Sequence, residues 1–271
     1  MSRVSLLTRG KFLLLSIMRD VQKEKARHNF EIDKVGVKNL HYPIILSDKA
    51  YRRQHTVAKI NMYVNLPHTF RGTHMSRFVE ILNKYRRAIA IRKVGEILRE
   101  MKKGLRAESA HLEMEFPYFI PKEAPISKSV GLMEYRCKFV GSLTDKVRLF
   151  LGVSVPITTL CPCSKEIAKR GAHNQRGEIR VMVRFKGFLW IEDLISLVED
   201  CASSPVYSLL KREDEKYVTE YAYDHPTFVE DVARNVAQKL EEDKRITYYT
   251  VEVESYESIH NHDAYAFIEK R

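Results

Sequence analysis

Cys161 and Cys163 stand on either side of one proline, and His173 follows Cys161 by twelve residues, in the stretch VPITTLCPCSKEIAKRGAHNQRG from Val155 to Gly177. Two thiols and an imidazole at that spacing can close a soft-ligand site around a divalent metal. Three other groups carry chemistry. His260 and His262 lie two apart, so on an extended segment both imidazoles point to one side, as metal ligands or as a ligand and its proton-transfer partner would; an inert pair on an exposed loop is the competing reading. Arg71-Gly-Thr-His74-Met-Ser-Arg77 places two guanidinium groups and an imidazole around a glycine and hydroxyls, a set that can hold phosphate oxygens or simply cap a helix. Glu213, Asp214 and Glu215 read as a solvated helix start, where the helix dipole favours carboxylates. Glu230 lies off the centre of an apolar helix stripe and can accept two hydrogen bonds from the amidine-like edge of a purine, with an ion pair to Arg234 as the alternative.

The elements that must position these groups are legible from periodicity. Ala58, Ile60, Met62 and Val64 alternate with polar residues as in a half-buried strand, with Val35 to Leu46 as its hairpin partner. Phe78, Val79 and Leu82 mark one helix, and Ile89, Val94, Ile97, Leu98 and Met101 a second that ends near Gly104. Alternation returns at Ala110 to Phe116, at Met133 to Phe139, which puts Cys137 in the core, and at Val147 to Val155, with a turn expected over Gly141 to Asp145. Beyond His173, Ile179 to Phe185 reads as a strand ended by Gly187. Helices follow at Ile191 to Val198 and Phe228 to Leu240, the latter with Pro226 in its first turn, before strands at Tyr249 to Val253 and Ala264 to Ile268. The order is strand, strand, helix, helix, strand, strand, repeated once, which gives an α+β fold of antiparallel sheets rather than a parallel one.

The chain has 271 residues, 44% of them hydrophobic, enough to bury a sizeable core. Four cysteines are too sparse for a disulfide scaffold and fit a reducing, cytoplasmic setting. The formal charge of +11 is compatible with nucleic acid, a small polyanion or a merely solvated surface. Basic residues are spread along the chain without a nucleic-acid-binding motif, so a small anion is the better functional reading and no nucleic acid is expected. The apolar run Phe12 to Ile17 is too short to span a bilayer, so no membrane is expected. Residues 1–17 read as a disordered leader or a misassigned start, 18–142 as a first unit and 143–271 as a second.

RGTHMSRF at 71 to 78, LCPCSKEI at 160 to 167, GAHNQRG at 171 to 177, DEKYVTE at 214 to 220, FVEDVAR at 228 to 234 and ESIHNHDA at 257 to 264 together resemble the type IB GTP cyclohydrolases, including the archaeal enzymes of that type. The resemblance runs from about Asp20 to Arg271. It implies a bimodular tunnelling fold, a barrel closed by oligomerisation and a homotetramer with active sites at subunit interfaces. It also implies hydrolysis of GTP to formate and 7,8-dihydroneopterin triphosphate, the first step of folate biosynthesis, by water activated on a divalent metal (Mn²⁺, Fe²⁺ or Zn²⁺). By the same resemblance, Cys161, His173, Glu215 and His260 match the metal-site positions, and Glu230 matches the residue that anchors the guanine edge. Cys161, Cys163, His260 and His262 are then the catalytic candidates, and Arg71, His74, Arg77, Lys165 and Arg176 are triphosphate contacts on charge and position. Two alternatives remain at this point: another tunnelling-fold enzyme, such as a nitrile reductase with a cysteine nucleophile, or a basic binding module with a structural metal.

Overall fold

The computed structural model describes residues 21–85 and 91–270. The leader expected over 1–17, and Ile89 at the start of the second helix, lie outside the described residues. The first half runs β1 (Ile32–Asp48), β2 (Arg52–Leu66), α1 (Met75–Tyr85), α2 (Ile91–Gly104), β3 (Ala110–Glu123) and β4 (Val130–Leu143). The second runs β5 (Val147–Leu160), α3 (Pro162–Ile167), β6 (Asn174–Phe185), α4 (Ile191–Glu199), β7 (Ser204–Pro205), α5 (Arg212–Asp224), α6 (Val229–Glu242), β8 (Ile246–Ser255) and β9 (Ala264–Glu269). The α+β pattern holds, and the second half adds α3, β7 and α5 to the repeated order.

All the strands form one antiparallel sheet in the order β1-β2-β3-β4-β5-β6-β8-β9, with β7 pairing β5. Period-two alternation sends Ala58, Ile60, Met62, Ala110, Leu112, Val153, Val155, Ile179, Val181, Val251 and Val253 into one continuous core. There α2 packs on β3 and β4, α4 on β5, and α6 on β8 and β9. Each large apolar side chain removed from water there contributes about 1.5–3 kcal/mol. The other face of the sheet carries Glu115, Arg136, Lys138, Glu178, Arg180 and Glu252 along a shallow groove. Arg180 is held there by Glu178, Glu252 and Glu254.

Local departures from the expected pattern have steric or packing causes. The turn after β4 is shorter than expected: Gly141 pairs Leu149 and Leu143 pairs Val147, so only residues 144–146 turn. Glycine suits strand position 141 because a Cβ there would lie 2.6 Å from Val94 Cγ1 of α2. In α1, Ile81 joins Phe78 and Leu82 in the core, whereas Val79 is only half-buried. In α6, Phe228 is the N-cap residue and the helix begins at Val229, which leaves Pro226 ahead of the first turn.

The two halves are fastened through α4. Tyr118 of β3 donates to Glu192 Oε1 at 2.7 Å, which also accepts from the Lys49 N–H at 2.7 Å, and Tyr135 of β4 donates to Glu199 Oε1 at 2.6 Å beside Lys122 Nζ at 2.8 Å. Burial, reinforced by the neighbouring carboxylates, holds both phenols well above their ordinary pKa. They therefore stay protonated donors.

Candidate active site

The ends of β5 and β6 set the site. Their register reaches Leu160 opposite Asn174, and one step further the Cys161 N–H donates to the His173 carbonyl at 3.1 Å. Cys161 and His173 are therefore cross-strand neighbours, and the residues between them are taken up by α3 and a loop turning through Gly171, whose φ of +69° is in the glycine-favouring left-handed region. Cys161 is the N-cap of α3, with Pro162 at its start, and the Ser164 N–H donates to its Sγ at 3.4 Å. Ser164 Oγ in turn accepts from the His173 N–H at 3.1 Å, which ties the two chain segments together.

Two further segments close on this point. The Thr227 N–H donates to the Leu160 carbonyl at 3.1 Å, bringing the start of α6 and Glu230 to the end of β5. The Tyr256 N–H donates to the Arg176 carbonyl at 2.9 Å, extending the β6–β8 ladder, so the loop from 256 to 263 sits over the same end of the sheet. The result is an open cleft of about 260 Å³ lined by Cys161, His173, Gln175, Glu230, Glu257, His260 and His262, among others. The His260 and His262 rings stack with centroids 5.1 Å apart, and both are exposed. Arg234 pairs with Asp231 at 2.7 Å, so the Glu230–Arg234 ion pair considered above gives way and Glu230 lines the cleft.

Beneath His173 lies a polar cluster that periodicity did not single out. His173 Nδ1 is 3.0 Å from Gln175 Oε1, and Gln175 Nε2 donates to Thr159 Oγ1 at 3.0 Å, Ser255 Oγ at 3.2 Å and Glu257 Oε1 at 3.3 Å. Thr159 and Ser255 share a 2.7 Å bond and are fully buried, and Gln175 is buried with them. The available signal was that Gln175 is two residues past His173 at the start of a strand, and therefore on the same side.

Other expected residues fall elsewhere. Cys163 is exposed and outside the cleft lining. Lys165 Nζ donates to the Tyr223 carbonyl and sits 4.2 Å from the centre of the Tyr223 ring, and Arg176 is exposed on β6; neither lines the cleft. His74 and Arg77 line a separate cleft of the first half with Arg106, where Arg77 Nη1 donates to the Gly104 carbonyl at 3.1 Å. Arg71 pairs with Glu24 at 3.4 Å. The acidic triplet opens a helix as expected, but Asp214 is not solvated. Asp214 is fully buried and accepts from the N–H groups of Ile126, Ser127 and Lys211 and from the Ser127 hydroxyl, because it caps α5 and holds the β3–β4 loop. Glu213 and Glu215 are exposed, and Glu215 is not part of the cleft lining.

Among the described residues no three His, Cys, Asp or Glu side chains are gathered as a metal cluster. The donor chemistry in the cleft nevertheless suits a divalent cation: a thiol and an imidazole on adjacent strand ends, the imidazole within hydrogen-bond distance of Gln175 through Nδ1. The two other thiols are different in kind. Burial pushes Cys201 up to about 11 and Cys137 higher still, which makes both inert packing groups.

The fold and this site define a tunnelling-fold protein. Among solved structures the chain resembles a hyperthermostable mutant of the urate oxidase of Bacillus sp. TB-90 (TM-score 0.53, 8% identity, 88% of this chain and 98% of that one). It also resembles a uricase from Bacillus fastidious (TM-score 0.52, 6% identity, 90% and 94%). At such identities the likeness concerns the fold alone. The particular family comes from sequence: residues 18–266 match the model of the type I GTP cyclohydrolase FolE2 family, and the chain belongs to that family. The GTP cyclohydrolase FolE2 of Syntrophotalea carbinolica is 61% identical over 93% of this chain and 95% of its own length. That of Geobacter metallireducens is 57% identical over 94% and 98%. This membership takes the place of the nitrile reductase and binding-module alternatives.

Proposed function

We infer that the chain is a GTP cyclohydrolase acting in folate biosynthesis, with GTP and water as substrates and formate and 7,8-dihydroneopterin triphosphate as products. The observation that carries this reading is family membership over nearly the whole chain, combined with one cleft that gathers Cys161, His173, Glu230, His260 and His262. We assign it to the metal-dependent type IB. Cys161 and His173 would hold the cation, with His260 from the same cleft as a further ligand; Glu215, outside that cleft in this chain, would join such a site from a neighbouring copy. When bound, a divalent cation would lower the pKa of water toward neutrality for attack on purine C8.

The chain's own residues account for the rest. Glu230 accepts the N1–H and 2-amino protons of guanine, which fixes the ring and selects it over purines without that donor pair. His260 and His262, stacked at the mouth of the cleft, move protons at N7 and N9 as the imidazole ring opens and formate departs. Arg71, His74 and Arg77 remain candidate triphosphate contacts; His74 and Arg77 line a cleft separate from Cys161, and the three would serve a neighbouring subunit's site in a homotetramer. A cytoplasmic location fits this chemistry, and among the described residues no helix is long and apolar enough to cross a membrane. The test is incubation with GTP under anaerobic conditions before and after chelation. Release of formate with Mn²⁺ or Fe²⁺ and its loss on chelation are expected, and unchanged turnover in the chelated protein would remove the metal from the account.

A further inference from the structure

We propose that Gln175 is a positioning residue whose buried carboxamide holds His173 as the Nδ1–H tautomer, leaving Nε2 as the nitrogen that can bind or exchange a proton in the cleft. The argument rests on which atoms can only accept. Glu257 Oε1, 3.3 Å from the Gln175 amide, is a carboxylate oxygen, so the amide must turn its NH₂ toward it. The same NH₂ meets Thr159 Oγ1 at 3.0 Å and Ser255 Oγ at 3.2 Å, two fully buried hydroxyls already joined to each other. Turned this way, the amide presents Oε1 to His173 Nδ1 at 3.0 Å. A carbonyl oxygen only accepts, so Nδ1 must carry the proton. Ser258 Oγ donates to the same Oε1 at 3.4 Å.

The consequence is a chain of orientation that starts at Glu257, is locked by Thr159 and Ser255, passes through Gln175 and ends at the reacting nitrogen of His173. Without it the free imidazole would distribute its proton between both nitrogens, and in the Nε2–H form the nitrogen facing the cleft neither ligates nor accepts. Glu257 Oε2, 3.8 Å from His173 Nδ1, is too distant to replace the amide without movement.

The proposal rests on the cleft being the reacting site, but its test needs neither GTP nor turnover. In metal-free protein carrying ¹⁵N-histidine, long-range ¹H–¹⁵N spectra at pH above the histidine titration read the tautomer of each ring. Wild type is expected to give His173 as Nδ1–H, and Gln175→Met to give a mixture or the Nε2–H form. Co²⁺ binding, read from its visible absorption, is expected to weaken about 10- to 100-fold in that variant. An Nε2–H His173 in wild type, or a Gln175→Met protein with wild-type tautomer and Co²⁺ affinity, would overturn the proposal. If Gln175→Met fails to fold, the wild-type spectrum alone decides. A correct tautomer in a protein that leaves GTP untouched would retain the positioning role and remove the GTP cyclohydrolase reading.

Discussion

At the scale of single residues, the proposed mechanism divides binding of the base, at Glu230, from chemistry on it. Among the described residues Glu230 forms no ion pair, Arg234 being engaged by Asp231 instead. Its replacement has a defined outcome. Glu230→Gln removes one acceptor of a charge-assisted pair and is expected to lower kcat/KM for GTP about 10- to 100-fold. Steady-state comparison with inosine triphosphate, which lacks the 2-amino group, adds specificity: wild type should strongly prefer GTP and the variant should lose most of that preference. Equal losses on both nucleotides would assign Glu230 another role. Cys161, His173, Glu230 and the two imidazoles were legible in the sequence as reactive types in short motifs. The network under His173 was not. Gln175, Thr159 and Ser255 are uncharged residues whose importance comes from three strand ends meeting, and no local period encodes that meeting.

At the scale of elements, strands and helices followed from alternation and helical spacing, whereas the added pieces of the second half did not. Short α3 has no buried residue, and β7 is two residues long, so neither has an apolar pattern to detect. The acidic triplet at α5 illustrates why charge alone misleads. Sequence favoured solvation, but Asp214 meets four donors from two segments, and that compensation permits burial of the charge. Burial pushes its pKa up, yet the hydrogen bonds from Ser127, Lys211 and Ile126 outweigh this and hold the carboxyl well below the usual range. Since the folded pKa is below an unfolded value of about 3.9, the stabilisation is fully present above about pH 4. It is lost as the pH falls further toward the folded value. Asp214→Asn should therefore lower the urea midpoint at pH 7, and the gap from wild type should narrow as the pH is taken below about 4. A gap independent of pH would show that the ionised form is not what holds the loop.

At the scale of the whole molecule, one sheet runs through both halves, and the chemistry-bearing cleft belongs to the second half alone. His74 and Arg77 occupy a different cleft, and Glu215 projects from α5 outside the site. This distribution is that expected of an enzyme whose sites are completed between copies. Motif order alone did not separate the two clefts, because it carries no information on which strand ends meet. Co-expression of differently tagged Cys161→Ala and Arg77→Ala chains tests the arrangement. Each variant alone should be strongly impaired, whereas purified hybrids should recover part of the wild-type rate, since some of their sites carry neither change. Hybrids no better than their parents would confine the site to one chain. The most direct test of the central claim is the formate released per GTP consumed by anaerobic, Mn²⁺-loaded protein, with the Cys161→Ala variant in parallel. One formate per GTP with a product of the mass of dihydroneopterin triphosphate, and none from the variant, is the predicted result; untouched GTP, or a Cys161→Ala protein as active as wild type, would contradict it.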